Sequence, residues 1–495
     1  MSRLVSLSGL DVAFLALETP TTPMNVVATF VLDASSGRFS HDAILRLVNE
    51  RLPRLAPFRR RLAGMPFGLD HPVWIEDPDL DLAAHVHRIT APAPGSERVL
   101  AELVARIAAK PLDRTRPLWE LWVVEALAEE RAALVFKLHH ALADGVSANE
   151  LLLQLLDPSA EGEGAGGSFE PVLPDPAPTR RALLGHALSR LPRQSARFAR
   201  LARDTAGSVA AMARAGLGPA ADGGQMPLPF RAPRMPWNGA TSSERTVAYG
   251  SAPLADVKHV AAAFGTTVNH VVLAACTQTL RGYLETRGVA LDAPLVAAVP
   301  ISVRGPGELG TYGNRISAFL VHLPVHLADP VEQLLAVRDD AQSALRVHAG
   351  LGVTALGEWA EFASARLLGG AARFYSDRKL ARRHAPLVNL VISNVRGPDA
   401  PLYAAGSRLC AAYPLGPLME GAAMNITVVS YAGSVDFGVI ACARSVPHAA
   451  EIALGFSAAV ADLSKLAAGS LRRPPRRRGT LLPRGRKATR TMRNP

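Results

Sequence analysis

Cysteine is scarce in this chain: Cys276, Cys410 and Cys442 are the only three in 495 residues. They are far apart and odd in number, which excludes a disulfide framework and gives no zinc-ligand spacing. They fit buried thiols in a reducing compartment. The usual catalytic signatures are also missing. There is no G-x-S-x-G elbow, no Walker A loop and no H-E-x-x-H, which excludes the commonest serine hydrolases, P-loop enzymes and zincins. One string, Gly305-Pro306-Gly307-Glu308-Leu309-Gly310, does fit G-x-G-x-x-G. It contains a proline and runs into strand-like alternation. A dinucleotide site needs a helix N-terminus there for the pyrophosphate, so this reading is rejected.

No uninterrupted apolar run approaches the roughly eighteen residues of a membrane span. The N-terminus meets Asp11 and Glu18 early and has no export pattern, so the expected location is cytoplasmic. Acid is absent from the last stretch, 471–495, which carries ten Arg and Lys residues from Arg472 to Arg493. Against a net charge of +11, the remaining body is nearly neutral, which excludes a body-wide nucleic-acid footprint. No aromatic interleaves these arginines, so no nucleic-acid partner is expected. The segment is expected to be disordered, with its charge favouring an anionic lipid surface.

What is present is ordinary globular material, 48% apolar and 20% charged, in a length that predicts two domains. Strand-like runs at Asn25–Asp33, Leu121–Ala126 and Ala132–Leu138 stand beside a helical pattern at 97–109. The second half predicts helices at 257–264 and 268–283, with strands at 295–303, 316–323, 387–393 and 425–431. This is a mixed α/β class without regular βαβ alternation. The expected division is a first domain at 1–178, a helical and Pro/Gly-rich linker at 179–240, a second domain at 241–470, and the tail. Within the linker, residues 180–217 read as a helix broken near Pro192, with Leu184, Leu188, Leu191, Phe198 and Leu201 as its apolar stripe. Its arginines leave two readings: a helix lying on a membrane, or one packed on the body with a solvated basic face.

The most informative string is His139-His140-Ala141-Leu142-Ala143-Asp144-Gly145, closing the alternating stretch Leu134 to Leu138. If the strand runs straight, His140 shares a face with Leu134, Phe136 and Leu138 and sits at the mouth of an apolar surface. With no nucleophile motif, His140 reads as a general base in direct transfer, since a neutral imidazole accepts a hydroxyl proton. The alternative is a pair of structural histidines beside a turn. Asp144 is expected to point away from the imidazole towards a cation that fixes the loop, with Arg304 as its partner. Pro117 and Trp119 read as a turn and an aromatic anchor, and Asn314 and Asn394 as loop braces.

These residues together resemble the bacterial wax ester synthase/diacylglycerol acyltransferases, within the wider group of CoA-dependent acyltransferases carrying H-H-x-x-x-D-G. The resemblance extends through Leu7-Ser8-Gly9-Leu10-Asp11, Phe14-Leu15, Pro23-Met24, Pro117-Leu118-Trp119, Pro300-Ile301-Ser302-Val303-Arg304, Gly313-Asn314, Ser393 to Pro398 and Pro414 to Pro417, in family order. It implies two chloramphenicol-acetyltransferase-like domains with mixed sheets and an active-site channel between them. It implies a catalytic set of His140, His139, Asp144 and Gly145, supported by Arg304, Asn269, Pro117 and Trp119. Acyl-CoA would be a co-substrate, with no bound cofactor or metal, and the acceptor would be diacylglycerol or a long-chain alcohol. Product and substrates would place the enzyme at the inner membrane face or a lipid droplet. Two departures stand out: Asn25, where the family usually has histidine, and His270, where it usually has an acid after the asparagine. They keep open a lipid-binding homologue of weakened activity, and a carrier-protein-dependent, condensation-type enzyme stands as a separate alternative.

Overall fold

The structure, a computed structural model, describes residues 4–162, 176–190, 200–203, 206–207, 230–304, 313–350, 361–362 and 365–471. In chain order the first half forms β1 (Val5–Ser6), α1 (Gly9–Leu17), β2 (Asn25–Asp33), α2 (His41–Arg51), β3 (Arg60–Ala63), β4 (Val73–Glu76), β5 (Val86–Thr90), α3 (Glu97–Ala108), β6 (Trp119–Leu127), β7 (Arg131–His139) and α4 (Gly145–Leu153). A helix α5 at 180–190 follows. The second half gives β8 (Arg245–Pro253), α6 (Leu254–Ala263), α7 (Val268–Glu285), β9 (Leu295–Ser302), β10 (Ile316–Leu323), α8 (Pro330–Gly350) and α9 (Ala365–Asp377). It closes with β11 (Leu390–Arg396), β12 (Tyr403–Ala404), β13 (Ser407–Leu415), β14 (Met424–Tyr431), β15 (Ser434–Cys442) and α10 (Ala449–Leu471).

Local chemistry explains where the helices start. Ser8 and Asp11 close a capping box on α1, and Ser96 caps α3, whose Leu100, Leu103, Val104 and Ile107 are buried. Thr267 and His270 close a second capping box on α7. The strands form two six-stranded mixed sheets, in the orders β12-β13-β2-β7-β6-β5 and β10-β9-β11-β14-β15-β8, and a small three-stranded sheet, β1-β4-β3. The first is antiparallel except for β5 against β6, and the second has a parallel centre of β9, β11 and β14. β13 crosses from the second half to pair with β2, setting Leu415 opposite Val27. The first sheet is therefore finished by residues 403–415, a tertiary pairing that no local pattern announces.

One apolar cluster runs from Val27, Val124 and Val135 on the first sheet through α3 to β8, α7 and α10. A second fills the opposite face, where Phe136 and Leu138 meet Leu151 and Leu152 of α4 and Ile44 of α2. Across the sheets Thr29 and Tyr249 are hydrogen-bonded at 3.1 Å in a buried contact. Among the described residues, one single helix, Ala449–Gly469, is long and apolar enough to cross a membrane. One face of it packs on the core through Ile452, Phe456, Val460 and Leu463, while Leu454 and Leu466 are exposed.

Several expectations need correcting. Within α5 the buried positions are Leu183 and Ala187, while Leu188 is exposed, so there the apolar stripe sits one residue from the one read in sequence; Leu201 is buried as read, and Leu191 and Phe198 lie outside the described residues. Cys276 and Cys442 are buried, but Cys410 is exposed. The glycine string at 305–310 lies outside the described residues, as do the break near Pro192 and the basic segment 472–495.

Candidate active site

β7 ends at His139, paired in register with Asn25 of β2. The chain then turns sharply. His140 N–H donates to the Met24 carbonyl at 2.7 Å, and Leu142 N–H donates to the His139 carbonyl at 2.9 Å. The two neighbouring histidines go opposite ways. His139 is fully buried; its Nδ1 accepts the Ala141 N–H at 3.0 Å, and its Nε2 lies 3.3 Å from Glu18 Oε2. Burial opposes the Glu18 charge. The contacts with His139, the Met24 N–H and Arg114 outweigh burial and hold the carboxyl down at about 2. His139 thus holds the turn from within, enclosed between Ala141 and Glu18.

His140 keeps a partly accessible edge. Its ring stacks on Phe14 of α1 at 4.0 Å between centroids. Its Nδ1 lies 3.0 Å from Asn314 Oδ1. The orientation of that amide follows from its other contacts. Asn314 Nδ2 donates to the His140 carbonyl and to Asp11 Oδ1, both at 2.7 Å, so Oδ1 is the end facing the imidazole. An amide oxygen only accepts, so Nδ1 carries the proton and Nε2 keeps its lone pair. Asp11 also accepts the Asn314 N–H at 2.9 Å while closing its capping box on Ser8. Burial pushes the imidazole down to about 4, against the raising effect of the Asn314 hydrogen bond. The site therefore holds a neutral imidazole of fixed tautomer.

The apolar surface expected beside His140 is a different one. Leu134, Phe136 and Leu138 are covered by α4 and α2 and belong to the core, so they line no channel. Phe14 from α1 supplies the apolar partner instead. Asn314 was expected to brace a loop, yet it touches the imidazole directly. The signal for Asp11 and Asn314 was faint. Ser8-x-x-Asp11 is a capping-box pattern, but nothing local connects it to a residue some three hundred positions on.

The pairing expected of Asp144 and Arg304 is present. Arg304 Nη1 lies 2.9 and 2.8 Å from the two Asp144 oxygens, with side chains 2% and 0% exposed. Asp144 caps α4 through the Ser147 N–H at 2.9 Å and also accepts the Arg315 N–H at 2.9 Å. Arg304 donates to the Gly313 carbonyl. Both partners therefore grip the residues flanking Asn314, and the ion pair ties the histidine turn to the loop that orients the imidazole. Gly145 opens α4, and a Cβ there would meet only Val395 Cγ2 at 3.5 Å. Gly145→Ala should keep activity within about twofold and change stability by no more than about 1 kcal/mol, as a melt and an activity assay would show.

Trp119 is buried, donates from Nε1 to the Phe58 carbonyl at 2.8 Å and stacks on Phe58 and His85. Pro117 forms the turn before it, its carbonyl accepting the Trp119 N–H. Asn269 lies away from these contacts, at the start of α7. It accepts from Asn394 at 3.4 Å and lines a cavity of about 550 Å³ with Lys258, Arg396 and Ser430. The two departures are local. Asn25 donates to the Lys110 carbonyl at 2.8 Å, satisfying the chain just past the C-terminus of α3. His270 Nδ1 accepts the Thr267 N–H at 3.3 Å, the capping role an acid would fill.

Two linked mixed sheets with a neutral, oriented imidazole at their junction define the architecture of chloramphenicol-acetyltransferase-like transferases and condensation domains. The chain belongs to the wax ester synthase/diacylglycerol acyltransferase family. The family's catalytic-domain model matches residues 7–272, and the model of its C-terminal domain matches 312–464. A Mycobacterium tuberculosis relative named "Putative diacyglycerol O-acyltransferase Rv1760" is 37% identical over 474 residues, 92% of this chain and 89% of that one. Another from the same species, Rv3087, similarly named, is 34% identical over 479 residues, 96% and 99% of the two chains. Among solved structures, the wax ester synthase/diacylglycerol acyltransferase of Marinobacter aquaeolei VT8 aligns with a TM-score of 0.64 at 28% identity, covering 94% of this chain and all of that one. The starter condensation domain of rhizomide synthetase, solved with C8-CoA and Leu-SNAC, shares the fold at a TM-score of 0.55 and 14% identity, covering 94% of each chain.

Proposed function

We propose that this chain transfers a fatty acyl group from acyl-CoA to the hydroxyl of diacylglycerol or a long-chain alcohol, giving triacylglycerol or wax ester, with His140 as general base. The observation that carries the reading is the imidazole itself: neutral, partly accessible, and held by Asn314 so that Nε2 is free to accept a proton. The acceptor hydroxyl donates to Nε2 as its oxygen attacks the thioester carbonyl. The tetrahedral intermediate collapses to ester, the carbon–sulfur bond breaks, and the proton on Nε2 goes to the departing CoA sulfur. The imidazole returns to its starting state. Such a base contributes about 10²- to 10⁴-fold in rate.

Both substrates are greasy, and each buried methylene adds about 0.8 kcal/mol, so chain length chiefly sets affinity. Selectivity then falls to the acceptor side. Membrane-borne acceptors would put the reaction at a lipid surface. Asn25 and His270 each take a local hydrogen-bonding role, which supports an intact site.

The test is CoA release from palmitoyl-CoA by the purified chain with dioleoylglycerol or hexadecanol, compared with no alcohol. Alcohol-dependent release, with the labelled ester as product, is the expected result and ranks the two acceptors. Release with no acceptor, or none by protein that still binds acyl-CoA, would overturn the proposal and favour a carrier-borne donor or a lipid-binding role.

A further inference from the structure

The sequence places an unusual amount of basic charge just beyond the active-site wall. From Arg366 to Arg383 there are six Arg and Lys residues and one acid, Asp377. Much of this stretch is α9, which packs against α1, with Gly369 set against the Ala16 carbonyl. Its outward face is apolar where a soluble surface would be polar: Leu367 is 76% exposed and Phe374, two turns on, is 56% exposed. Gly370 and Ala371 lie between them, also exposed, so the stripe is continuous. Arg366 lies against Gly68 of the neighbouring loop, whose Phe67 is 70% exposed under the guanidinium of Arg180. Arg378 reaches over Phe374.

We infer that α9 and the Phe67 loop form a face that docks on an anionic lipid bilayer, with Leu367, Phe374 and Phe67 entering the acyl boundary and Arg366, Arg373 and Arg378 meeting headgroup phosphates. An apolar stripe rimmed by arginines matches both layers of such a surface, the hydrocarbon and its negative charge. The helix beneath, α1, carries Phe14 against the His140 imidazole, so docking there sets the bilayer beside the wall of the site. This orientation presumes the lipid-alcohol reading only for its purpose; the binding itself is measured without turnover.

The full-length chain is sedimented with phosphatidylcholine vesicles, with and without about 30% phosphatidylglycerol, in about 0.1 M salt. The wild type should bind the anionic vesicles, and Leu367→Asp with Phe374→Asp should lower the partition coefficient about tenfold or more. Neutralising the basic residues of 472–495 to Gln in the full-length chain should cost less than that. Phe374→Trp gives a second reading that needs no loss of binding: its added emission should be quenched by lipids brominated on their acyl chains. Unchanged binding by the double variant, no quenching, or binding abolished by the tail substitutions alone would each overturn the assignment. So would a wild-type dimer that the double variant dissolves while still binding vesicles, since the face would then belong to a second copy. Loss of vesicle binding with CoA release from octanoyl-CoA and hexanol retained supports it, and absent CoA release with vesicle binding intact would count against the enzyme reading alone.

Discussion

Asp144→Ala should lower unfolding stability by about 3–5 kcal/mol, because it leaves the Arg304 guanidinium buried without its counter-charge. Denaturant melts measure this directly. The loss is not confined to one ion pair: the Ser147 and Arg315 N–H groups lose their acceptor as well. The consequence for chemistry runs through Asn314. With Arg304 and Arg315 released, residues 313–315 lose their tie to the histidine turn and only Asp11 and the His140 carbonyl still hold the Asn314 amide, so kcat should fall more than KM for acyl-CoA rises. The double variant Asp144→Ala with Arg304→Ala should be destabilised by less than the sum of the singles, because the second change removes the orphaned charge. Strict additivity would contradict a direct ion pair.

The second large effect is at His140. His140→Ala should lower kcat by about 10²- to 10⁴-fold with the fold intact, since the ring contributes one stack on Phe14 and one hydrogen bond to Asn314. Asn314→Ala should do less damage to kcat. It frees the tautomer, so part of the population presents an N–H to the alcohol instead of a lone pair. A KM effect without a kcat effect in the His140 variant would mean that the imidazole binds substrate and moves no proton.

What was legible in the sequence follows the reach of local patterns. The histidine turn and the strands around it are written within about twenty residues, and a single basic partner just past a strand, Arg304, could be matched to Asp144 by charge alone. The mixed α/β class followed from strand and helix periods. The contact that orients the base was not legible, because Asn314 stands 174 residues from His140 and 303 from Asp11, and an asparagine after glycine reads equally well as a turn. Alternation along β7 marked an apolar face without saying what covers it; α4 and α2 do, so that face became core. The return of β13 to the first sheet is likewise a tertiary choice, made by pairing with β2.

The acid side of the pH profile bears on the same groups. A histidine lowered in the folded state destabilises the fold as pH falls from its unfolded value of about 6.5 towards about 4, because only the unfolded chain then takes up the proton. Glu18, held at about 2, adds stability that is present above its ordinary range near 4.5 and lost as pH falls towards 2.

The measurement that tests the central claim most directly is kcat/KM for CoA release with hexadecanol as a function of pH, in wild type and His140→Ala. A neutral, largely desolvated base predicts a profile flat from pH 8 to about 5, with half-loss at about 4, and an acid limb that disappears from the residual activity of the variant. Half-loss near about 6.5, the value of an ordinary solvated imidazole, or an acid limb unchanged in the variant, would contradict it.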